Sequence, residues 1–358
     1  MKAIVLVGGE GTRLRPLTLR TPKQMLPIIE QPMLERVLAG LATHGIDEAV
    51  LSLRYLPDAF LRAYPAGEAA GVRLTYAVEP EPYDTAGALR FAADVAGIDD
   101  TFLVMNGDVL TDLDLPGLID FHRASGAEGT IRLYPVPDPS AFGVVDIEAD
   151  GRVRQFVEKP PPGEAPTNLI NAGTYVFEAG VLDRIPLGQR TSIERKTFPE
   201  MVADGTLFAK ADPAYWLDTG TPADFLRAHA DLLNGTRPGP PCPGAHLIAP
   251  GVWATGSPGL DGEAVAPCFV GAGARIAPGA RVEGSVVGRG AVVDAGAVVV
   301  GSVLMARTYV GVDARVEGSV LGEDAMVGEG CHLRPISVIG PAVEIEPGTV
   351  LDGQRVPA

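Results

Sequence analysis

Cysteine is scarce in this chain, and the three that occur, Cys242, Cys268 and Cys331, form no CxxC pair and have no histidine cluster beside them. That excludes a disulfide framework and a cysteine-held metal centre; reduced thiols remain, with Cys268 and Cys331 expected to pack inside a repeat. No apolar run approaches the ~18 residues of a membrane helix, and no basic-then-apolar leader precedes the first strand, so a cytoplasmic location is expected and no membrane partner. Positive charge is also in short supply: 29 Lys and Arg stand against 45 Asp and Glu, a formal net charge of −16. Nucleic acids and anionic bilayers need a basic surface to displace counterions or meet headgroups, so no nucleic acid is expected as a partner either. With 46% hydrophobic and 21% charged residues the chain is globular rather than disordered, and 358 residues suffice for two domains.

Against that acidic background the N-terminus reverses sign. The first 23 residues hold Lys2, Arg13, Arg15, Arg20 and Lys23 against one acid, Glu10. The apolar run 3–7 reads as a buried parallel strand that runs into the loop Gly8-Gly9-Glu10-Gly11-Thr12-Arg13, where glycines let backbone N–H groups approach phosphate oxygens. Neither of two better-known phosphate loops fits. A Walker loop needs Gly-Lys followed by Ser or Thr, and the chain has no Gly-Lys pair; the dinucleotide fingerprint needs a further glycine where Arg13 and Leu14 stand. A plain glycine turn would account for the glycines but not for Arg13, Arg15 and Lys23. Only five lysines occur in the whole chain, and Lys23 and Lys159 each sit beside a proline.

The chain divides by its periodicity. Up to about residue 236, strands over 49–53, 73–78 and 101–105 alternate with helical patterns over 33–43, 86–94 and 115–124, an α/β, Rossmann-like pattern with a mixed, mostly parallel sheet. Such sheets bind ligands at the carboxyl ends of their strands, where the glycine loop and Asp108 fall. Residues 237–247 are rich in Pro and Gly and read as a linker. From 248 to 358 aliphatic residues recur in steps of six with an occasional five, from Val270 and Ile276 to Ile339 and Ile345. Three steps make one coil, and the Ser-Val pairs at 285, 302 and 319 repeat every 17 residues. A hexapeptide repeat with one inward aliphatic per side predicts a β-helix of triangular section, a stacking and oligomerisation module whose open end wants covering. Acyltransferase chemistry at His332 is the functional alternative for this half, and the repeat lacks the long loop insertions that would shape an acyl-donor pocket.

The motif GGEGTRLRPLT, with Pro22-Lys23 ten residues beyond Arg13, resembles the signature of the sugar-phosphate nucleotidyltransferases, the nucleoside-diphosphate-sugar pyrophosphorylases. Asn106-Gly107-Asp108, Phe156-Val157-Glu158-Lys159-Pro160, Asn171-Ala172-Gly173 and Trp216-Leu217-Asp218-Thr219-Gly220 follow in family order. The resemblance implies a nucleotidyltransferase domain followed by a left-handed parallel β-helix, and an enzyme that joins a nucleoside triphosphate to a sugar 1-phosphate with release of pyrophosphate. Leu6, Gly8, Gly9, Gly11, Thr12, Glu79, Thr85, Gly87, Asn106 and Gly107 would line the nucleotide site. Arg13 and Lys23 would be the catalytic cations, and Asp108 and Asp218 would hold Mg²⁺. Lys159 would bind the sugar phosphate, with Gly143, Glu158, Asn171 and Gly173 around the sugar. Glu158-Lys159 could also be an ordinary surface ion pair.

The base is read from Glu79, a carboxylate where thymidylyltransferases tend to carry an amide. Two carboxylate oxygens match the N1–H and N2–H₂ donors of guanine and offer nothing to the acceptor N1 of adenine, which favours GTP. A solvated loop acid is the alternative. Similarity to mannose-1-phosphate guanylyltransferases, through Asn106-Gly107-Asp108 and Ser192-Ile193-Glu194-Arg195, favours mannose 1-phosphate. Gln24, Tyr83-Asp84 and Lys196 depart from that pattern. They leave open a thymidylyltransferase for glucose 1-phosphate or a guanylyltransferase for a cyclitol phosphate such as valienol 1-phosphate. A binding subunit without turnover also remains open.

Overall fold

The first apolar run forms the strand Ala3–Leu6, parallel on both sides to Glu48–Leu53 and Phe102–Asn106, with Val72–Val78 parallel beyond Glu48–Leu53. The first three are buried along nearly their whole length, with Ile4, Val50 and Val104 almost wholly buried, whereas Val72–Val78 alternates, with Arg73 and Thr75 exposed. The computed structural model describes residues 1–357 and falls into two compact units. One comprises Met1–Gly9 and Leu34–Trp216; the other comprises Glu10–Met33 and the residues from Leu217 onward.

In the first unit the sheet has ten strands. Beyond Phe102–Asn106 it turns antiparallel through Leu169–Phe177, which pairs with Gly129–Pro135 and Gly143–Ile147; Val153–Glu158 closes that side. The sheet is therefore mixed, with its parallel part around the first strand. Helices form at Met33–Thr43, Asp84–Ala96 and Leu115–Ser125, within two residues of the sequence pattern at each end. Gly97 ends the second in the left-handed conformation, its N–H donated to the Ala93 and Asp94 carbonyls. Phe102, Phe177 and Phe198 fill the core between sheet and helices.

In the second unit Glu10–Met33 is a chain of single 3₁₀ turns ending in a hairpin, Pro27–Ile28 against Gln31–Pro32. The helix Pro222–Leu233 starts at Thr221, whose hydroxyl accepts from Asp224 N–H, and no helix or strand lies between it and His246. The antiparallel pair His246–Ala249 and Val252–Ala254 then opens three parallel sheets of eight, six and six strands. Val270, Val287, Leu304 and Leu321 stack on the first side, Ile276, Val293, Val310 and Val327 on the second, and Val282, Val299, Val316 and Leu333 on the third. Each column steps by 17 residues, and all twelve side chains have 0% exposure, as one inward aliphatic per side requires. Cys268 and Cys331 belong to this core, where burial pushes the Cys268 thiol up to about 12. Ser285, Ser302 and Ser319 form a buried corner column; Ser302 N–H donates to Ser285 Oγ and Ser319 N–H to Ser302 Oγ.

The corner between His332–Arg334 and Val338–Ile339 carries one extra residue, and there Ile336 sits at φ 65. A β-branched residue in the left-handed region is strained by roughly 1–2 kcal/mol, whereas glycine is not. Ile336 is 41% exposed, so little packing offsets that cost. Ile336→Gly is therefore expected to raise stability by about 1 kcal/mol, allowing for glycine's greater freedom in the unfolded chain. A denaturant midpoint that falls instead would show that the isoleucine contacts outweigh the backbone strain.

Candidate active site

Two groups of side chains carry the candidate chemistry, one in each unit. In the second unit Gly11 stands at φ 60, and a Cβ there would lie 3.0 Å from Lys23 Cβ and 3.1 Å from Thr18 Cγ2. Its carbonyl accepts from Thr18 Oγ1 at 2.8 Å and from Leu14 N–H at 2.9 Å. Gly11 thus folds the chain back so that Thr12–Leu14 forms one turn and Lys23 is brought beneath it. Lys23 is 6% exposed, with Nζ 3.1 Å from Asp218 Oδ1; Arg13 is 63% exposed, with Nη2 3.8 Å from Asp218 Oδ2. Gly220 explains the glycine of the Asp-Thr-Gly turn, since a Cβ on it would stand 2.5 Å from Arg13 Nη2 and 2.9 Å from Asp218 Oδ1. Arg13, Lys23 and Asp218, far apart in sequence, form one cluster of two cations on one carboxylate. Arg15 pairs with Glu10 at 3.1 Å instead.

In the first unit the strand ends Leu6 and Asn106 are register partners, and Leu6 carbonyl accepts from Gly107 N–H at 3.0 Å. Gly107 is a packing glycine, because a Cβ there would run into Val7 and the Leu6 carbonyl. A Cβ on Gly8 would lie 3.4 Å from Arg54 Cβ and 3.6 Å from Glu79 Oε1, whereas a Cβ on Gly9 would meet nothing within 4 Å. Glu79 is not a solvated loop acid. It is 9% exposed, accepting from Tyr83 N–H at 3.1 Å and from Ser52 Oγ at 3.4 Å. Burial raises its pKa, opposed by those hydrogen bonds and by Arg54. Ser52 and Arg54 were missed in the sequence; the signal was their place at the carboxyl end of the strand Glu48–Leu53, where ligands of parallel sheets bind.

Thr85 and Gly87 face inward. Thr85 Oγ1 donates to Glu194 Oε2 at 2.8 Å and accepts from Ile193 N–H at 2.9 Å. Gly87 N–H donates to Thr191 carbonyl, and a Cβ on Gly87 would stand 2.5 Å from Gln189 carbonyl oxygen. Both therefore have structural reasons to be what they are: they stitch the loop after Glu79 to the 189–194 segment. Asp84, where a glycine is usual in the guanylyltransferase pattern, stands at φ 60 and caps Thr85 N–H at 2.9 Å, so the departure keeps the backbone shape. Gln24 is 2% exposed, and Lys196 lies on the surface.

Toward the antiparallel side, Gly173 at φ 72 lies directly over the Asn106 side chain, and its N–H donates to Asn171 Oδ1 at 3.0 Å. Asn171 Nδ2 donates to Tyr175 Oη at 2.9 Å. Gly143 leaves room for Phe156 and Glu158, which a Cβ would approach to 2.6 Å and 3.0 Å. Burial and the neighbouring Glu194 raise the Glu158 carboxyl, and Lys159, 62% exposed at φ 50, places Nζ 3.5 Å from it. Gly143 and Glu158 are thus register partners on neighbouring strands, and Gly173 sets Asn171 beside Asn106 on the next pair. Asp108 follows Gly107 in the turn between Phe102–Asn106 and Val109–Thr111. In the repeat His332 pairs with Glu317 at 3.3 Å, among surface ion pairs.

Residues 2–235 match the family model described as nucleotidyl transferase, and residues 264–358 match the model of the GMPPB C-terminal domain. A mannose-1-phosphate guanylyltransferase of Mycobacterium tuberculosis is 46% identical over 242 residues, 66% of this chain and 66% of that protein. A probable mannose-1-phosphate guanylyltransferase 1 of Oryza sativa is 41% identical over 255 residues, 69% of this chain and 70% of the relative. The chain thus spans about two thirds of the length of these relatives. Among solved structures, HddC of Yersinia pseudotuberculosis complexed with GMP-PN superimposes with a TM-score of 0.55 at 29% identity, over 64% of this chain and 97% of that one. A putative glucose-1-phosphate thymidylyltransferase of Bacillus anthracis gives 0.58 at 26%, over 64% and 94%.

Proposed function

The chain belongs to the nucleotidyl transferase family, and from that premise we propose that it makes GDP-mannose from GTP and mannose 1-phosphate. A non-bridging oxygen of the sugar phosphate forms a bond to the α-phosphorus of GTP, the bond from that phosphorus to the β-phosphate oxygen breaks, and pyrophosphate leaves with the electron pair. No proton has to move and no protein nucleophile is needed. Catalysis is then a matter of positioning and of cancelling repulsion between two anions. Arg13 and Lys23 would take the triphosphate and the leaving pyrophosphate. Glu158, Asn171 and the backbone at Gly143 and Gly173 would hold the sugar, with Lys159 on its phosphate.

The observation that carries the choice of GTP is Glu79: a buried carboxylate held by Tyr83 N–H, 3.6 Å from the position a Cβ would take on Gly8. The names of the relatives support the same base, and their sugar supports mannose.

Family members use a divalent metal, which we assign as Mg²⁺. Asp108 and Asp218 would hold it with hard oxygen donors in small number, and Asp218 is 26% exposed beside Lys23 and Arg13, the cations proposed to bind the phosphates. When bound, the ion would offset charge on the phosphates. Among the described residues no helix is long and apolar enough to cross a membrane. The three cysteines form no disulfide, which supports a cytoplasmic enzyme. Assembly of like chains through the β-helix is supported by the outer strand His246–Ala249, exposed at all four residues.

Mass spectrometry of products from GTP and mannose 1-phosphate should find GDP-mannose and pyrophosphate in equal amounts. Chelation with EDTA should stop their formation by more than about 100-fold, and added Mg²⁺ should restore it. Turnover that persists in EDTA would contradict the metal assignment, and GDP formed without a sugar adduct would contradict the reaction.

A further inference from the structure

We propose that the β-helix is a working part of the phosphate site, because it fixes the segment that carries Arg13 and Lys23; the kinetic side of this rests on the function proposed above. Residues 10–33 have single turns and one two-residue hairpin as their own structure, too little to hold two catalytic cations in place. They are docked on the repeat at two points. Glu30, at the tip of the hairpin after Ile29 at φ 62, would ordinarily point into water. Instead its side chain is 11% exposed, and Oε2 accepts from Thr255 Oγ1 at 2.8 Å. Thr255 Oγ1 in turn accepts from Ala272 N–H at 3.1 Å, and Arg289 Nη2 stands 3.9 Å from the same carboxylate oxygen. Thr255, Ala272 and Arg289 are 17 residues apart, one position on three successive coils.

Glu30 Oε1 lies against Gly271, where a Cβ would overlap it, and has no hydrogen-bond partner. The second point is Pro16, packed where Gly340 has no side chain; a Cβ there would stand 3.2 Å from Pro16 Cβ and 3.2 Å from Pro357 Cδ. Gly271 and Gly340 each follow the inward residue of the first side, Val270 and Ile339, so the segment is held along one edge of the prism at both of its ends.

A buried carboxylate with one oxygen unsatisfied costs stability. Its gain is location: the Thr255 bond can form in only one placement of the hairpin, and the turn Lys23–Met25 lies immediately before it. Glu30 and Thr255 are thus positioning residues for Lys23 and Arg13.

The test is Thr255→Val, with Glu30→Ala as a second variant in case the first fails to fold and Thr255→Ser as the conservative replacement. All three would be made in the full chain and read by amide exchange of 10–33 and by steady-state kinetics. Exchange in 10–33 should speed up about tenfold or more while that of the repeat strands 282–321 stays as in the parent. kcat should fall at least about tenfold, the misplacement of a catalytic group being worth up to ~100-fold. The GTP to dTTP preference should not change, since Glu79 belongs to the other unit, and Thr255→Ser should restore both the exchange and kcat. Folded variants with unchanged exchange in 10–33, or with faster exchange and unchanged kcat, would overturn the proposal. A parent protein that turns over no sugar phosphate would overturn the proposed function, and the exchange measurement would still decide the docking.

Discussion

Lys23→Met is expected to lower kcat for pyrophosphate release by about 10²–10³-fold, the effect of removing one preorganised charge from a site where phosphate charge moves. Lys23 is 6% exposed and 3.1 Å from Asp218 Oδ1, so its ammonium is already placed before substrate arrives. Methionine keeps the length and apolar character of the stem, which packs against the Gly11 turn. The melting temperature should therefore change by a few degrees at most. Arg13, 63% exposed and 3.8 Å from the other carboxylate oxygen, remains beside Asp218 and should sustain only residual turnover. Comparing kcat with KM for the nucleotide separates the roles: a drop confined to KM would make Lys23 a binding group only, and wild-type kcat would remove it from the reaction.

Glu79→Gln should reduce the preference for GTP over dTTP by at least about 100-fold, because an amide presents one donor and one acceptor where guanine needs two acceptors. The amide oxygen can still accept from Tyr83 N–H, so the loop after Glu79 should hold its shape. A pH profile gives the same prediction an independent sign. Burial raises the Glu79 pKa above that of an ordinary glutamate, and only the ionised form offers both acceptors. Affinity for GTP is thus present above that raised pKa and lost as the pH falls through it, in a window that opens at higher pH than for an exposed carboxylate. The glutamine variant has no proton to gain there, and its KM for GTP should stay flat over that window. Equal acid dependence in both proteins would assign the titration to another group, and unchanged base preference would take Glu79 out of the base site.

Much of this was legible in the sequence, and the reasons differ by element. The repeat was readable because its 17-residue period is a packing requirement repeated coil after coil, so Val270, Val287 and Leu304 announce the same buried position. The strands Ala3–Leu6 and Phe102–Asn106 were readable because burial on both faces leaves a nearly uninterrupted apolar run, and Val72–Val78 because its exposure alternates. The docking of Glu10–Met33 on the repeat was not readable: a stretch of 3₁₀ turns has no period, and nothing local says that Glu30 reaches Thr255, 225 residues away. Single glycines were also ambiguous. Gly107 and Gly220 are required by close packing against Val7 and Arg13, whereas a Cβ at Gly9 would meet no atom, and sequence spacing cannot separate these cases. Sequence alone did not say whether Glu79 is solvated; its burial removes the loop-acid alternative, and its reading of the base remains the proposal. Thr85 and Gly87, read as nucleotide contacts, are tied to Glu194 and Thr191 through hydrogen bonds that join segments about 100 residues apart.

The central claim is tested most directly by initial rates of pyrophosphate release in Mg²⁺ across GTP, ATP, UTP and dTTP, each with mannose 1-phosphate, glucose 1-phosphate and a cyclitol phosphate. The account predicts one dominant combination, GTP with mannose 1-phosphate, at least about 100-fold above the dTTP row. A dominant dTTP row, or no release in any combination from folded protein, would contradict it.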